Sequence, residues 1–294
     1  MPYLGRFAPT PSGFLHFGSL VAALASYLDA RAAGGTWLVR IEDLDPPREI
    51  PGARDAILST LDACGLHADA APVLQSQRHA AYEAAVQQLL ANGLAYACRC
   101  SRKQLEGHSR YPGTCRNAQH SLENAAIRVR VPDETAADVT FIDRVQGPFT
   151  QNIAREGGDF IIKRRDGLYA YQLAVVVDDG WQGVTDIVRG ADLLDSTPRQ
   201  RYLQTLLGLP APRYLHIPLL LQPDGHKLGK SYRSPPVATQ HAPAQVLRAL
   251  RALGQCPPES LQHRSVAEVL AWGVAHWNVA AIPPKTGLDE ASLR

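Results

Sequence analysis

The break between Ala8 and Gly18 constrains the fold more than any other stretch. Tyr3 to Ala8 is a short apolar run that reads as a buried strand. From about Gly18, apolar residues recur at helical spacing (Leu20, Val21, Leu24, Leu28). Between these segments Pro9, Pro11 and Gly13 punctuate a turn. A strand that runs into a small-residue loop and then a helix N-terminus opens a parallel α/β unit, and it is a place to hold phosphate. Arg6 and His16 sit on this stretch. Taken alone, it is equally an ordinary strand-to-helix turn with incidental polar residues.

The alternation continues downstream. The first helix closes at Gly34-Gly35, Thr36 to Ile41 forms a second strand, and Glu42-Asp43-Leu44-Asp45-Pro46-Pro47-Arg48 stops it. Helices follow from Ala53 to Cys64, introduced by Pro51, and from about Arg78 to Asn92, closed by Gly93. This order predicts a parallel sheet covered by helices. From Leu94 to about Asp179 the pattern shifts to short β-like runs at Ile127 to Val131, Val139 to Val145 and Phe160 to Lys163, with a hairpin signal at Asp166-Gly167. This stretch reads as an insertion. The α/β framework resumes at Leu173 to Val177, read as a buried strand ending in Asp178-Asp179, and continues through Thr185 to Val188. Pro198 to Leu207 reads as a helix capped by Thr197 or Ser196. His216 to Gln222 is an apolar run closed by a turn at Pro223-Asp224-Gly225-His226, and two helical patterns follow, Ala242 to Leu253 and Val266 to Trp277.

Composition sets wide bounds. A chain of 294 residues suffices for one large domain or two smaller ones. No apolar run approaches the roughly 18 residues of a membrane span, and the N-terminus has no secretory pattern, so a cytoplasmic protein is expected. The net charge of +2 announces no bulk basic field for nucleic acid, although 25 of the 30 basic residues are arginine. Cytosolic disulfides are not expected, so the grouping of Cys98, Cys100 and Cys115 within 18 residues calls for its own explanation. Cys64 and Cys256 read as ordinary packing residues.

Three stretches carry chemistry: His16-Phe17-Gly18 at a helix start, Arg40-Ile41-Glu42-Asp43 at a strand's carboxyl end, and Lys227-Leu228-Gly229-Lys230-Ser231 after a turn. Each alone is weak evidence. In this order on an α/β frame they resemble the signatures of class I aminoacyl-tRNA synthetases. Arg6-Phe7-Ala8-Pro9-Thr10-Pro11-Ser12-Gly13, Arg40 to Arg48, and Val188-Arg189-Gly190-Ala191-Asp192 through Pro198 resemble the glutamyl and glutaminyl branch. The resemblance implies an α/β fold: a Rossmann-like catalytic domain in two halves (1–93 and 173–231), an inserted α+β zinc-bearing subdomain (94–172), and a small C-terminal helical region (232–294).

Short length and the cysteine group resemble the members of that branch that lack an anticodon-binding domain and attach glutamate to queuosine in the anticodon of tRNA(Asp). The implied partners are ATP with Mg²⁺, L-glutamate and that tRNA, with no membrane, and a monomer is expected. A truncated enzyme charging a tRNA 3′ end and a non-catalytic RNA-binding relic are the competing readings.

Activation of an amino acid asks the protein to position reactants and neutralise phosphate charge, not to supply a nucleophile. His16, Lys227 and Lys230 are the catalytic candidates, with Gly18 admitting ATP beside His16 and Lys230. For glutamate, Arg6 and Arg189 answer the two carboxylates and Glu42 the ammonium. Tyr171 contributes a hydroxyl, and Phe7, Ala8, Pro9 and Thr10 line the pocket. Two departures from the family pattern stand out: Ser19 replaces a second histidine, and Gly229 replaces a serine between the lysines. For zinc, three thiols need a fourth ligand. Chemistry favours His108 or His120, while the resemblance implies Tyr111 with Cys98, Cys100 and Cys115.

Overall fold

The computed structural model describes residues 2–222 and 235–289. The turn read at Pro223-Asp224-Gly225-His226 and the residues Lys227, Gly229 and Lys230 lie outside them. The first half follows the sequence closely. Strand β1 (Leu4–Phe7) leads through the punctuated loop into α1 (Phe17–Ala32). β2 (Thr36–Ile41) and α2 (Ala53–Ala63) follow, then β3 (Val73–Leu74) and α3 (His79–Ala91).

The segment between has its own three-stranded antiparallel sheet: β4 (Ala95–Cys98), β5 (Ala126–Val129) and β8 (Ile161–Lys163), in the order β4-β5-β8. The hairpin β6 (Asp138–Asp143) and β7 (Gly147–Asn152), followed by the single turn α4 (Ile153–Glu156), does not join that sheet. It extends the main one instead.

The run Leu173 to Val177 is not a strand. It lies inside helix α5 (Tyr171–Gln182), which ends at Gly183 in the left-handed conformation at φ 72°. Five apolar residues cannot distinguish a buried strand from a buried helix. The helix wins because Leu173, Ala174, Val175 and Val176 all enter one core cluster with Tyr82, Val86 and Leu89 of α3 and Leu203. Its C-terminal turn carries Asp178 and Asp179 inward, where both are buried.

β9 (Asp186–Gly190), α6 (Thr197–Leu207), β10 (Arg213–Ile217) and β11 (Leu219–Leu221) follow α5. Ser196 stands at the N-cap of α6 but makes no side-chain cap bond there. Thr197 is already helical, and its hydroxyl donates to the Leu193 carbonyl at 3.1 Å instead of capping. Helices α7 (Ala242–Ala252) and α8 (Val266–Ala275) pack on α1, and β12 (Gly287–Asp289) pairs with β11. Cys64 is a core residue as expected, whereas Cys256 is exposed at φ 45°, its sulfur reaching only the Gly254 carbonyl at 3.6 Å.

The main sheet runs β3-β2-β1-β9-β10-β6-β7, parallel from β3 to β6 and antiparallel only at the last pair. β1 is central, with β2 on one side and β9 on the other. The chain winds outward in both directions from this pair, so a crevice opens beyond the carboxyl ends of β1 and β9. No helix among the described residues is long and apolar enough to cross a membrane.

Candidate active site

That crevice is a cavity of about 660 Å³. Every strand end nearby contributes to it: Arg6 to Thr10 from the end of β1 onward, Glu42 after β2, Arg189 and Gly190 from β9, Ile217 at the end of β10, and Leu219 and Leu220 from β11. His16, Gly18 and Ser19 supply the helix side, and Tyr171 at the start of α5 closes the far wall. The Glu42 amide donates to the Pro9 carbonyl at 2.9 Å, which ties the opening loop to the end of β2. Thus Arg6, Phe7, Ala8, Pro9, Thr10, His16, Gly18, Glu42, Tyr171 and Arg189 all line one cavity. Arg48 and Asp192, which no local signal in the sequence marks as site residues, also line it.

Beneath the cavity lies a buried charge network. Arg6 Nε and Nη2 donate to Asp179 at 3.0 and 3.3 Å, and Arg6 also lines the cavity. Arg40, 0% exposed, donates Nη2 to the same Asp179 at 2.8 Å and Nη1 to Gln182 at 2.5 Å. Asp178 is fully engaged by Arg78, Gln75 and Tyr82 at 2.6 to 2.7 Å. Buried ions are tolerated only when paired and hydrogen-bonded. Glu42 breaks that rule. Its nearest cation is Arg40 Nη2 at 3.7 Å, and its buried Oε1 has no hydrogen-bond partner among the described residues. Burial pushes the Glu42 carboxyl up to about 7, against the lowering pull of Arg40 and Arg6. Glu42 thus lines the cavity with a carboxyl whose buried oxygen, the one nearest Arg40, makes no hydrogen bond.

Arg189 is held on three sides. Its Nε donates to His216 Nε2 at 3.0 Å, and its Nη2 donates to Thr197 Oγ1 and Gln200 Oε1 at 2.8 Å each. Nη1 reaches Tyr171 Oη at 3.4 Å. Of five guanidinium protons, these bonds leave one, on Nη1, for an incoming group.

At the other end of the cavity His16 caps α1, accepting at Nδ1 from the Ser19 amide at 3.2 Å, while its Nε2 lies 3.0 Å from Ser19 Oγ. An imidazole that accepts at Nδ1 carries its proton on Nε2 when neutral. Ser19, the departure noted in the sequence, therefore orients the ring. The lysines lie outside the described residues. Leu219 and Leu220 line the cavity, and Pro236 forms a β-bridge with His16.

Residues 4–245 match the family described as tRNA synthetases class I (E and Q), catalytic domain. The chain is 68% identical over 293 residues, 99% of each sequence, to the glutamyl-Q tRNA(Asp) synthetase of Ectopseudomonas mendocina. It is 67% identical over 292 residues, again 99% of each, to that of Pseudomonas aeruginosa. The chain belongs to the glutamyl-Q tRNA(Asp) synthetases. In fold it also resembles a glutamate tRNA ligase from Elizabethkingia meningosepticum, with a TM-score of 0.82 at 23% identity, covering 98% of this chain and 67% of that one.

This member of the synthetase family carries a cysteine centre in its second sheet. Cys98, Cys100 and Cys115 bring their sulfurs within 4.8 Å of one another, and no histidine or carboxylate among the described residues joins them. His108 and His120 therefore do not complete the group. Tyr111 does come close, with Oη 3.4 Å from Cys98 Sγ, 3.7 Å from Cys100 Sγ, and accepting from the Cys115 amide at 2.9 Å. Four zinc bonds of about 2.3 Å span a tetrahedron with edges near 3.8 Å, and the Cys100–Cys115 separation is 3.5 Å. The donor set fits a metal. Burial raises the Cys98 thiol, but hydrogen bonds from Tyr111, the Cys100 backbone and Arg128 outweigh it and bring the thiol down to about 7. Arg128 also stacks over the Tyr111 ring at 3.8 Å.

Proposed function

We propose that this chain activates L-glutamate with ATP and transfers it to a hydroxyl of queuosine in the anticodon of tRNA(Asp), acting as a cytoplasmic monomer. The observation that carries the proposal is the gathering of Glu42, Arg6 and Arg189 around one cavity, with the buried Oε1 of Glu42 left without a hydrogen bond. Free glutamate offers one ammonium and two carboxylates, the complement of that arrangement. Glu42 takes the ammonium, Arg6 the side-chain carboxylate, and Arg189 with Tyr171 offers the remaining donors. The other carboxylate attacks the α-phosphorus of ATP and pyrophosphate leaves. A queuosine hydroxyl then attacks the carbonyl carbon of the adenylate, forming an ester and releasing AMP.

No side chain need become a nucleophile. His16 at the N-terminus of α1 presents its Nε2 proton to phosphate, exchanging Ser19 Oγ for phosphate oxygen. The helix N-terminus adds its own positive end. Lys227 and Lys230 neutralise the departing pyrophosphate as point charges. Mg²⁺ accompanies the triphosphate. Zinc, held by Cys98, Cys100, Cys115 and Tyr111, would cross-link the loops around the second sheet, a closed four-ligand site with a structural role.

Two incubations with labelled glutamate and ATP test the reading, one with queuosine-containing tRNA(Asp) and one with tRNA(Glu). Label on the first alone is expected. Label on tRNA(Glu) alone would replace the proposal with 3′-end charging, and glutamate-independent or absent ATP–pyrophosphate exchange would leave a binding protein.

A further inference from the structure

The buried pair His216 and Asp143 lies behind the cavity and belongs to none of the motifs that drew attention in the sequence. Both side chains are 0% exposed, and His216 Nδ1 stands 2.6 Å from Asp143 Oδ2. The opposite ring nitrogen, Nε2, faces Arg189 Nε at 3.0 Å. Arginine has no acceptor, so His216 Nε2 must carry the lone pair. The proton then sits on Nδ1 and is donated to Asp143. A carboxylate thus fixes the tautomer that makes histidine an acceptor for a guanidinium, and the chain Asp143, His216, Arg189 ends at the cavity.

Asp143 is itself locked. It accepts from the backbone amides of Val145 and Gln146 at 3.0 and 2.9 Å, and from the His216 amide at 3.0 Å. The other charged group acting on His216 is Asp192, and Thr197 Oγ1 lies 3.2 Å from its Nε2. Burial and Arg189 favour the neutral ring, opposing Asp143. With Nη2 held by Thr197 and Gln200, the His216 bond fixes the guanidinium plane and leaves only Nη1 to turn toward a ligand.

We infer that His216 and Asp143 are positioning residues for the amino-acid substrate, setting the plane in which Arg189 meets a carboxylate. This rests on Arg189 contacting glutamate, as proposed above. It also makes β6, a strand from the segment 94–172, a part of the amino-acid site.

The test uses His216→Gln, His216→Asn and Arg189→Ala in glutamate-dependent ATP–pyrophosphate exchange. Glutamine can place an acceptor near the Nε2 position. Asparagine can still donate to Asp143 but stops short of Arg189. Loss of one hydrogen bond to a charged group predicts a rise in glutamate KM of about tenfold or more for His216→Asn. The ATP KM should stay within about twofold and His216→Gln should recover most of the loss, since neither substitution removes a contact to phosphate. Equal rises in both KM values, or no rescue by glutamine, would reduce the pair to packing and overturn the inference. If Arg189→Ala leaves the glutamate KM unchanged, the assignment of Arg189 fails and this inference with it. If Arg189→Ala raises the KM and His216→Asn does not, the positioning role alone fails.

Discussion

Glu42→Gln should stabilise the ligand-free protein while abolishing tight glutamate binding. The Glu42 carboxyl is raised to about 7 in the folded chain from an ordinary value of 4.5. The folded state therefore holds this proton more tightly than the unfolded state. Glu42's contribution to stability is fully present below about pH 4.5 and is lost as pH rises toward 7. The carboxyl's rise from 4.5 to about 7 corresponds to roughly 3 kcal/mol, the cost of keeping the carboxylate ionised in the ligand-free protein above neutrality. Glutamine is nearly isosteric and removes that cost, while Arg40 keeps Asp179 at 2.8 Å as its counter-ion. At pH 8 the variant should melt several degrees above wild type, and at pH 5 the gap should narrow sharply.

Binding should respond in the opposite sense. Truncating one partner of a buried charge pair costs about 2–5 kcal/mol, so the glutamate KM in pyrophosphate exchange should rise roughly a hundredfold. In wild type that KM should climb as pH falls below 7, because the protonated carboxyl no longer answers the ammonium, and the climb should vanish in the variant. Calorimetric melts at the two pH values with and without glutamate, together with the exchange assay, decide the matter. A Glu42→Gln protein that melts no higher at pH 8 and keeps a wild-type glutamate KM would refute the reasoning.

Three further outcomes are expected. Ser19→Ala frees the His16 ring from the hydroxyl 3.0 Å from Nε2. Because that bond competes with phosphate in the free protein, losing it should lower the ATP KM by up to about fivefold in the exchange assay, with the glutamate KM unmoved. Lys230→Ala should slow exchange while glutamate still protects the protein from thermal unfolding, and loss of both would contradict a role confined to phosphate. Elemental analysis should find about one zinc per chain; Tyr111→Phe should release it to a chelator more readily than wild type, Cys115→Ser should lose it outright, and a folded wild-type protein without metal would remove the centre.

The parts of the fold legible in the sequence are those whose signals are local. The bounds of β2 at Thr36 and Ile41 are local, because glycines precede it and a charged, proline-rich turn ends it. The apolar run of α5 is too short to mark a helix by itself, and the packing that makes it one comes from α3 and α6, far along the chain. The same distance hid half of the site. Asp179 meets Arg6 across 173 positions, and His216 meets Asp143 across 73, so no spacing rule links either pair.

Arg40 shows what local reading could still extract. It follows Trp37, Leu38 and Val39 and precedes Ile41 in a strand between two covered neighbours, β1 and β3. A charged residue in such a strand can be neither solvated nor left alone, so its presence requires buried acids nearby. Glu42 is one strand position short of being that partner: its carboxylate stands 3.7 Å away while Asp179 takes the closer place at 2.8 Å. The network thus satisfies Arg40 from α5 and leaves Glu42 without a hydrogen bond at its buried Oε1, 3.7 Å from Arg40. The raised Glu42 carboxyl follows from that mismatch: burial outweighs the pull of Arg40 and Arg6, whose shorter contacts go to Asp179.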